Sequence, residues 1–193
     1  MQTERQQQII DCSIEIISKK GIQGLTIKNI SKEIGFSEPA IYRHFKSKTE
    51  IILAILGNFK TMADFLAEAM ENLEDSAIEK INFMFSKMME MFSEQPSLVS
   101  VIFSEEIFKN EEPLKEKIKE ILNLHQKTVE KIIKKGQIEN NVRKDIDKES
   151  LALIMMGSLR LLVKRWDLND YNFNIKKEGE KLIQSLNIIL NSK

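Results

Sequence analysis

The chain has 193 residues, enough for one large domain or two small ones, and its formal net charge is zero, so any basic footprint for nucleic acid must be local. Hydrophobic residues at 42% and charged residues at 30% exclude a disordered chain; three prolines and seven glycines leave long runs of good helix formers unbroken, and an all-α fold follows. The single cysteine, Cys12, excludes an internal disulfide framework and a cysteine zinc cluster and fits a reducing compartment. With no signal-peptide core at the N-terminus and no stretch near the ~20 apolar residues of a membrane span, a soluble cytoplasmic protein without membrane attachment is expected.

Ile9, Ile10, Ser13, Ile14, Ile16 and Ile17 recur at helical spacing from about Gln2 to Lys19, and Gly21 is expected to stop this first helix. Cys12 lies on it, as a small buried hydrophobe or as a redox sensor. Thr26 is placed as the N-cap of a two-turn helix whose apolar face is Ile27, Ile30 and Ile34, ended by Gly35. Ser37 caps a very short third helix through Tyr42, with Pro39 in its first turn. Ser47-Lys48-Thr49-Glu50 reads as a capping box opening a fourth helix that runs to about Glu71. Further helices are expected at about Ser76–Ser93, Leu98–Phe108, Leu114–Lys135, Lys148–Arg165 and Ile175–Asn191.

Two short helices separated by Gly35-Phe36-Ser37 form a helix-turn-helix pattern, in which the second would enter the major groove of DNA. Residues 1–50 carry eight basic against six acidic side chains, a slight local excess. The stretch from Thr26 to Lys48 resembles the DNA-binding region of the tetracycline-repressor family. The likeness runs through Gly21, Leu25-Thr26, Ile30-Ser31, Ile34-Gly35-Phe36-Ser37, Ala40-Ile41-Tyr42, His44-Phe45 and Lys48, and later through Gly136 and Asp145-Ile146-Asp147. It implies an N-terminal three-helix helix-turn-helix domain over residues 1–47 and a C-terminal helical ligand-binding and dimerisation domain over 48–193.

The resemblance implies contacts to double-stranded operator DNA, and the residue types agree. Thr26 and Lys28 can meet phosphate at the start of the second helix, and Ser37, Glu38, Pro39 and Ala40 stand at the exposed start of the recognition helix. Tyr42 and His44 resemble the family's phosphate-contacting pair, Arg43 is an additional basic candidate, and Lys48 opens the fourth helix. Tyr42 and Phe45 would alternatively be core aromatics, and Glu38 suits a helix N-terminus better than a phosphate-lined groove.

A homodimer through the last two helices is expected, on Leu151, Ile154, Met155, Ser158, Leu159, Leu162 and Val163 of one and Leu182, Leu186, Ile189 and Leu190 of the other. Phe59, Met62, Phe83, Met88, Phe92, Phe103 and Met155 supply aromatic and thioether surface for a small-molecule effector, with His125 as a polar candidate, although each also suits an ordinary core. No cofactor, metal or catalytic residue is expected. The two histidines, His44 and His125, do not make the pair a metal-chelated tetracycline would need, and no spacing matches a nucleophile or metalloprotease motif.

Overall fold

A computed structural model describes residues 2–103, 108 and 110–191. Among them are nine helices and no strand: α1 (Glu4–Gly24), α2 (Ile27–Ile34), α3 (Glu38–Tyr42), α4 (Lys48–Glu71), α5 (Ala77–Glu94), α6 (Ser97–Ile102), α7 (Glu112–Ile138), α8 (Lys148–Leu168) and α9 (Ile175–Leu190). The helix expected over Leu98–Phe108 is observed only in its first part: α6 ends at Ile102 and Phe103 lies in a turn, while positions 104–107 and 109 lie outside the described residues.

Helix starts follow local side-chain chemistry, because each N-terminus leaves backbone N–H groups that a neighbouring oxygen can accept. Thr3 and Gln6 form a capping box at α1, Ser76 and Glu79 another at α5, while Asp147 and Asn174 cap α8 and α9. Gly21 breaks α1 where the stop was expected. Its dihedrals leave the helical region (φ 66°, ψ 177°), and the chain then completes a further turn to Gly24.

The chain divides into two compact units, Met1–Thr61 with Ser97–Glu120, and Met62–Pro96 with Ile121–Lys193. In the first, α1 packs on α2 and α6, and α2 on α3. Its core is dominated by isoleucine: Ile9, Ile10 and Ile17 of α1, Ile30 of α2, Ile41 of α3 and Ile51, Ile52 and Ile55 of α4 are all fully buried. Cys12 belongs to this core. Burial, and then the nearby charges of Glu33 and Glu15, push its thiol up to about 11, so it is a packed hydrophobe with little thiolate at neutral pH.

In the second unit α9 packs on both α5 and α8. Leu151, Met155, Leu159 and Val163 of α8, and Leu186 and Leu190 of α9, are buried within this unit. That corrects the face expected for self-association, since these residues are already spent on the subunit's own core. The apolar side chains that α8 turns outward are Leu153, Ile154, Leu161 and Leu168, and Ile188 does so on α9.

Gly136, near the end of α7, sits where a Cβ would lie 2.5 Å from Val142 Cγ2, 2.6 Å from Ala77 Cβ and 2.7 Å from Asn141 Oδ1. Gly57, in α4, has open space around the same position. Gly136→Ala should therefore destabilise by about 1–3 kcal/mol through overpacking, outweighing the ~1 kcal/mol that alanine adds to a helix, whereas Gly57→Ala should stabilise by up to ~1 kcal/mol. Urea unfolding midpoints of the two variants check the opposite signs.

Candidate nucleic-acid interface

The α2–turn–α3 segment is held by hydrogen bonds that its own sequence supplies. Thr26 Oγ1 accepts from the Asn29 N–H at 3.1 Å, and the Asn29 amide donates to the Gly24 carbonyl at 2.7 Å, fixing the entry to α2. Gly35 adopts φ 71° and ψ 24°, a left-handed conformation that costs a side chain bearing a Cβ roughly 1–2 kcal/mol. The Ser31 hydroxyl donates to the Phe36 carbonyl at 2.5 Å and locks the turn that follows. Arg5 of α1 stacks over the Phe36 ring, 4.9 Å from its centroid.

Ser37 caps α3 by accepting from the Ala40 N–H at 3.3 Å, and the fully buried Ile41 fastens this one-turn-and-a-half helix to the core. That anchorage decides which residues point outward. Ser37, Glu38, Pro39 and Arg43 are exposed, Ala40 and His44 half-buried, and Tyr42 keeps 51% of its surface in solvent. The alternatives for the two aromatics thus resolve oppositely: Phe45 is a core residue and Tyr42 is not. Thr26 and Lys28 are exposed at the first turn of α2.

The opening of α4 differs from the expected box in one half. Ser47 Oγ accepts from the Glu50 N–H at 3.2 Å as the motif requires, but the Glu50 carboxylate accepts from the Lys46 N–H at 2.7 Å, one residue further back. Half-buried Lys48 donates to the Ile22 carbonyl at 2.8 Å, tying the start of α4 to the end of α1. Exposed Lys46, which sequence reasoning left out, adds a cation to the same turn. Its proximity in sequence to Lys48 was the available signal.

The apolar effector candidates are distributed over both units. Phe59 and Phe103 belong to the first unit, Met62, Phe83, Met88, Phe92, His125 and Met155 to the second. Within the second, Phe92 and Met155 are buried, Met88 is half-buried, and Met62 and Phe83 are exposed. Burial holds half-buried His125 below the usual imidazole range, with the Asp64 charge opposing. An open cavity of about 250 Å³ lies elsewhere in that unit, along Met70, Glu71, Lys80, Lys131 and Ile132. Sequence reasoning missed it. The signal was Lys80, a cation on the stripe of α5 that otherwise carries Ala77, Ile81 and Met84.

Among the described residues no group of three or more His, Cys, Asp or Glu is placed to hold a metal ion, and no helix is long and apolar enough to cross a membrane. What the first unit presents is an exposed, capped two-helix motif rimmed by Lys28, Arg43, Lys46 and Lys48.

Two family models match the chain: "Bacterial regulatory proteins, tetR family" over residues 9–55 and "YsiA-like protein, C-terminal region" over residues 58–189. The fatty acid metabolism regulator protein of Bacillus subtilis (strain 168) is 23% identical over 181 residues, covering 93% of this chain and 92% of that protein. The nucleoid occlusion factor SlmA of Vibrio campbellii is 20% identical over 179 residues, covering 89% and 88%. Among solved structures, the transcriptional regulator FadR from Bacillus subtilis in complex with stearoyl-CoA shares the fold, with a TM-score of 0.82 at 21% identity over 96% of this chain and 99% of that one.

The Lys48 bond to Ile22 makes this residue part of the domain's framework. Lys48→Ala should lower stability by about 1 kcal/mol, the scale of a partly solvated charge-assisted hydrogen bond, even with no DNA present. Chemical denaturation of the free protein checks it.

Proposed function

Because the chain belongs to the tetR family of bacterial regulatory proteins, we propose that it is a homodimeric, ligand-responsive repressor acting in the cytoplasm on a near-palindromic operator. Residues 1–47 form the DNA-binding domain and residues 48–193 the effector and dimerisation domain. One observation carries the reading. The side chain that fastens α3, Ile41, is buried, while Glu38, Pro39, Tyr42 and Arg43 on the same short helix and its cap stay in solvent.

In this reading Pro39 and Ala40 meet base edges, while Glu38 favours the helix N-terminus. Thr26, Lys28, Ser37, Tyr42, Arg43, His44 and Lys48 hold phosphates. Lys48 has three N–H donors and spends one on Ile22, so it can serve backbone and phosphate together. Helix α4 begins in the first unit and continues into the second, which makes it the route by which an effector alters the spacing of the recognition helices.

The effector we favour is a fatty-acyl thioester. Its support is the relatives' names, which specify fatty acid metabolism and stearoyl-CoA, and the adaptable Met and Phe surface of α4 and α5. A second reading follows from the nucleoid occlusion relatives: a DNA-binding protein of the same fold that answers to a protein partner. Ligand response separates the two.

Operator recovered from a random duplex pool provides the test. Lys48→Ala should weaken operator and scrambled duplex alike and reduce the salt slope by about one, because one phosphate contact releases roughly one counterion. Pro39 and Ala40 variants should instead change base preference. Stearoyl-CoA should lower operator affinity at least tenfold; release by small polar metabolites alone would overturn the effector class, and failure to retain any DNA would overturn the function.

Self-association is assigned to the outward stripe of α8, Ile154, Gly157, Leu161 and Leu168, beside Leu182 and Ile188 of α9. Leu161→Arg with Ile188→Arg should yield folded monomers by sedimentation, with operator affinity reduced about tenfold or more. Leu159→Arg, by contrast, places a charge in the subunit core and should unfold it.

A further inference from the structure

The first turn of α1 brings a cation to the turn between α2 and α3. Arg5 Cζ lies 4.9 Å from the centroid of the Phe36 ring, and Arg5 Nη1 donates to Gln8 Oε1 at 2.8 Å. The backbone beneath it is tied down as well. The Gln2 and Asn58 amides exchange hydrogen bonds at 3.0 and 3.2 Å, the Gln6 N–H donates to Thr3 Oγ1 at 3.2 Å, and Gln6 Oε1 accepts from the Thr3 N–H at 2.9 Å. Phe36 is fixed by Ser31, whose carbonyl accepts from the Phe36 N–H at 3.1 Å and whose hydroxyl donates to the Phe36 carbonyl. Because Phe36 directly precedes Ser37, the cap of α3, the guanidinium is held beside the exposed start of that helix.

No carboxylate neutralises this cation. Among the described residues no salt bridge engages Arg5, whereas Lys115, Lys117, Lys119, Lys131 and Lys135 of α7 each have an acidic partner. Arg5 is exposed, and the bond to Gln8 takes a single donor of a guanidinium fork that carries several. Stacking on a ring leaves the edge of the fork open to acceptors in its plane, and a side chain already held in place has less rotamer freedom left to lose on binding. A planar, solvent-facing cation of this kind suits a phosphate group, whose oxygens can accept two of its N–H bonds at once.

We infer that Arg5 is a further DNA-backbone contact, a phosphate clamp supplied by α1 with Phe36 as its platform. The inference rests on the operator reading and extends it to a helix outside the contact set already assigned to α2, α3 and the start of α4. Arg5 lies outside Thr26 to Lys48, so the likeness carried by that stretch assigns it nothing. The turn after Gly35 then has two tasks: it directs α3 outward, and through Phe36 it seats the clamp.

Affinities of the full chain for operator and scrambled duplex, measured by fluorescence anisotropy from about 50 to 200 mM salt, test it. Arg5→Gln should weaken both duplexes about tenfold at the low end and reduce the salt slope by about one for each subunit bound. Arg5→Lys keeps the charge without the fork and should keep the slope, with a loss of only about threefold. Phe36→Leu removes the platform and keeps the cation, so it too should weaken binding at unchanged slope. If Arg5→Gln left the slope unchanged while wild type bound the operator, Arg5 would be no more than a brace for the turn and the clamp would be overturned alone. A loss confined to the operator, with scrambled duplex unaffected, would overturn the phosphate assignment. Wild-type protein that retained neither duplex would overturn the operator reading and the clamp with it.

Discussion

The two helices that present the candidate DNA surface have eight and five residues, too few to persist in water by themselves. They exist because Ile30 and Ile41 are drawn into a core built by the far longer α1 and α4. Burying a side chain of this kind contributes about 1.5–3 kcal/mol, and the caps at Thr26 and Ser37 add about 1 kcal/mol each. Everything that this unit offers to a partner depends on that small set of insertions. With Ile41 pointing inward, the start of α3 has no other direction than outward for Glu38 and Pro39.

Electrostatics divides along the same line between support and function. Helix α7 is laced with pairs three residues apart, Lys115 with Glu112, Lys119 with Glu116 and Lys117 with Glu120, in which Lys115 and Lys117 are half-buried and the other four side chains exposed. Such pairs contribute a few tenths of a kcal/mol and chiefly keep a neutral chain soluble. Against that background stand Lys28 and Arg43, exposed on the helix-turn-helix, which no salt bridge engages among the described residues. Lys48 belongs to both groups, because its bond to Ile22 joins α4 to α1 while leaving donors free.

Two of the three unit boundaries fall inside α4 and α7, and the third at the connection between α5 and α6. Continuous backbone hydrogen bonding therefore runs from one unit into the other. Displacement of α4 by an effector is the coupling route proposed for this regulator.

Local chemistry determined the helix starts, the all-α class and the turn between α2 and α3, since capping oxygens act within three residues and Gly35 needs no distant partner to adopt its left-handed conformation. Tertiary structure decided the rest. Helix α8 carries apolar residues around most of its circumference, so periodicity alone did not determine that Leu159 faces inward and Leu161 outward; packing against α9 did. The bond from Lys48 to Ile22 spans 26 positions, and the cavity at Lys80 joins three helices. Contacts of that range are set by how faces pack, a property that no single segment contains.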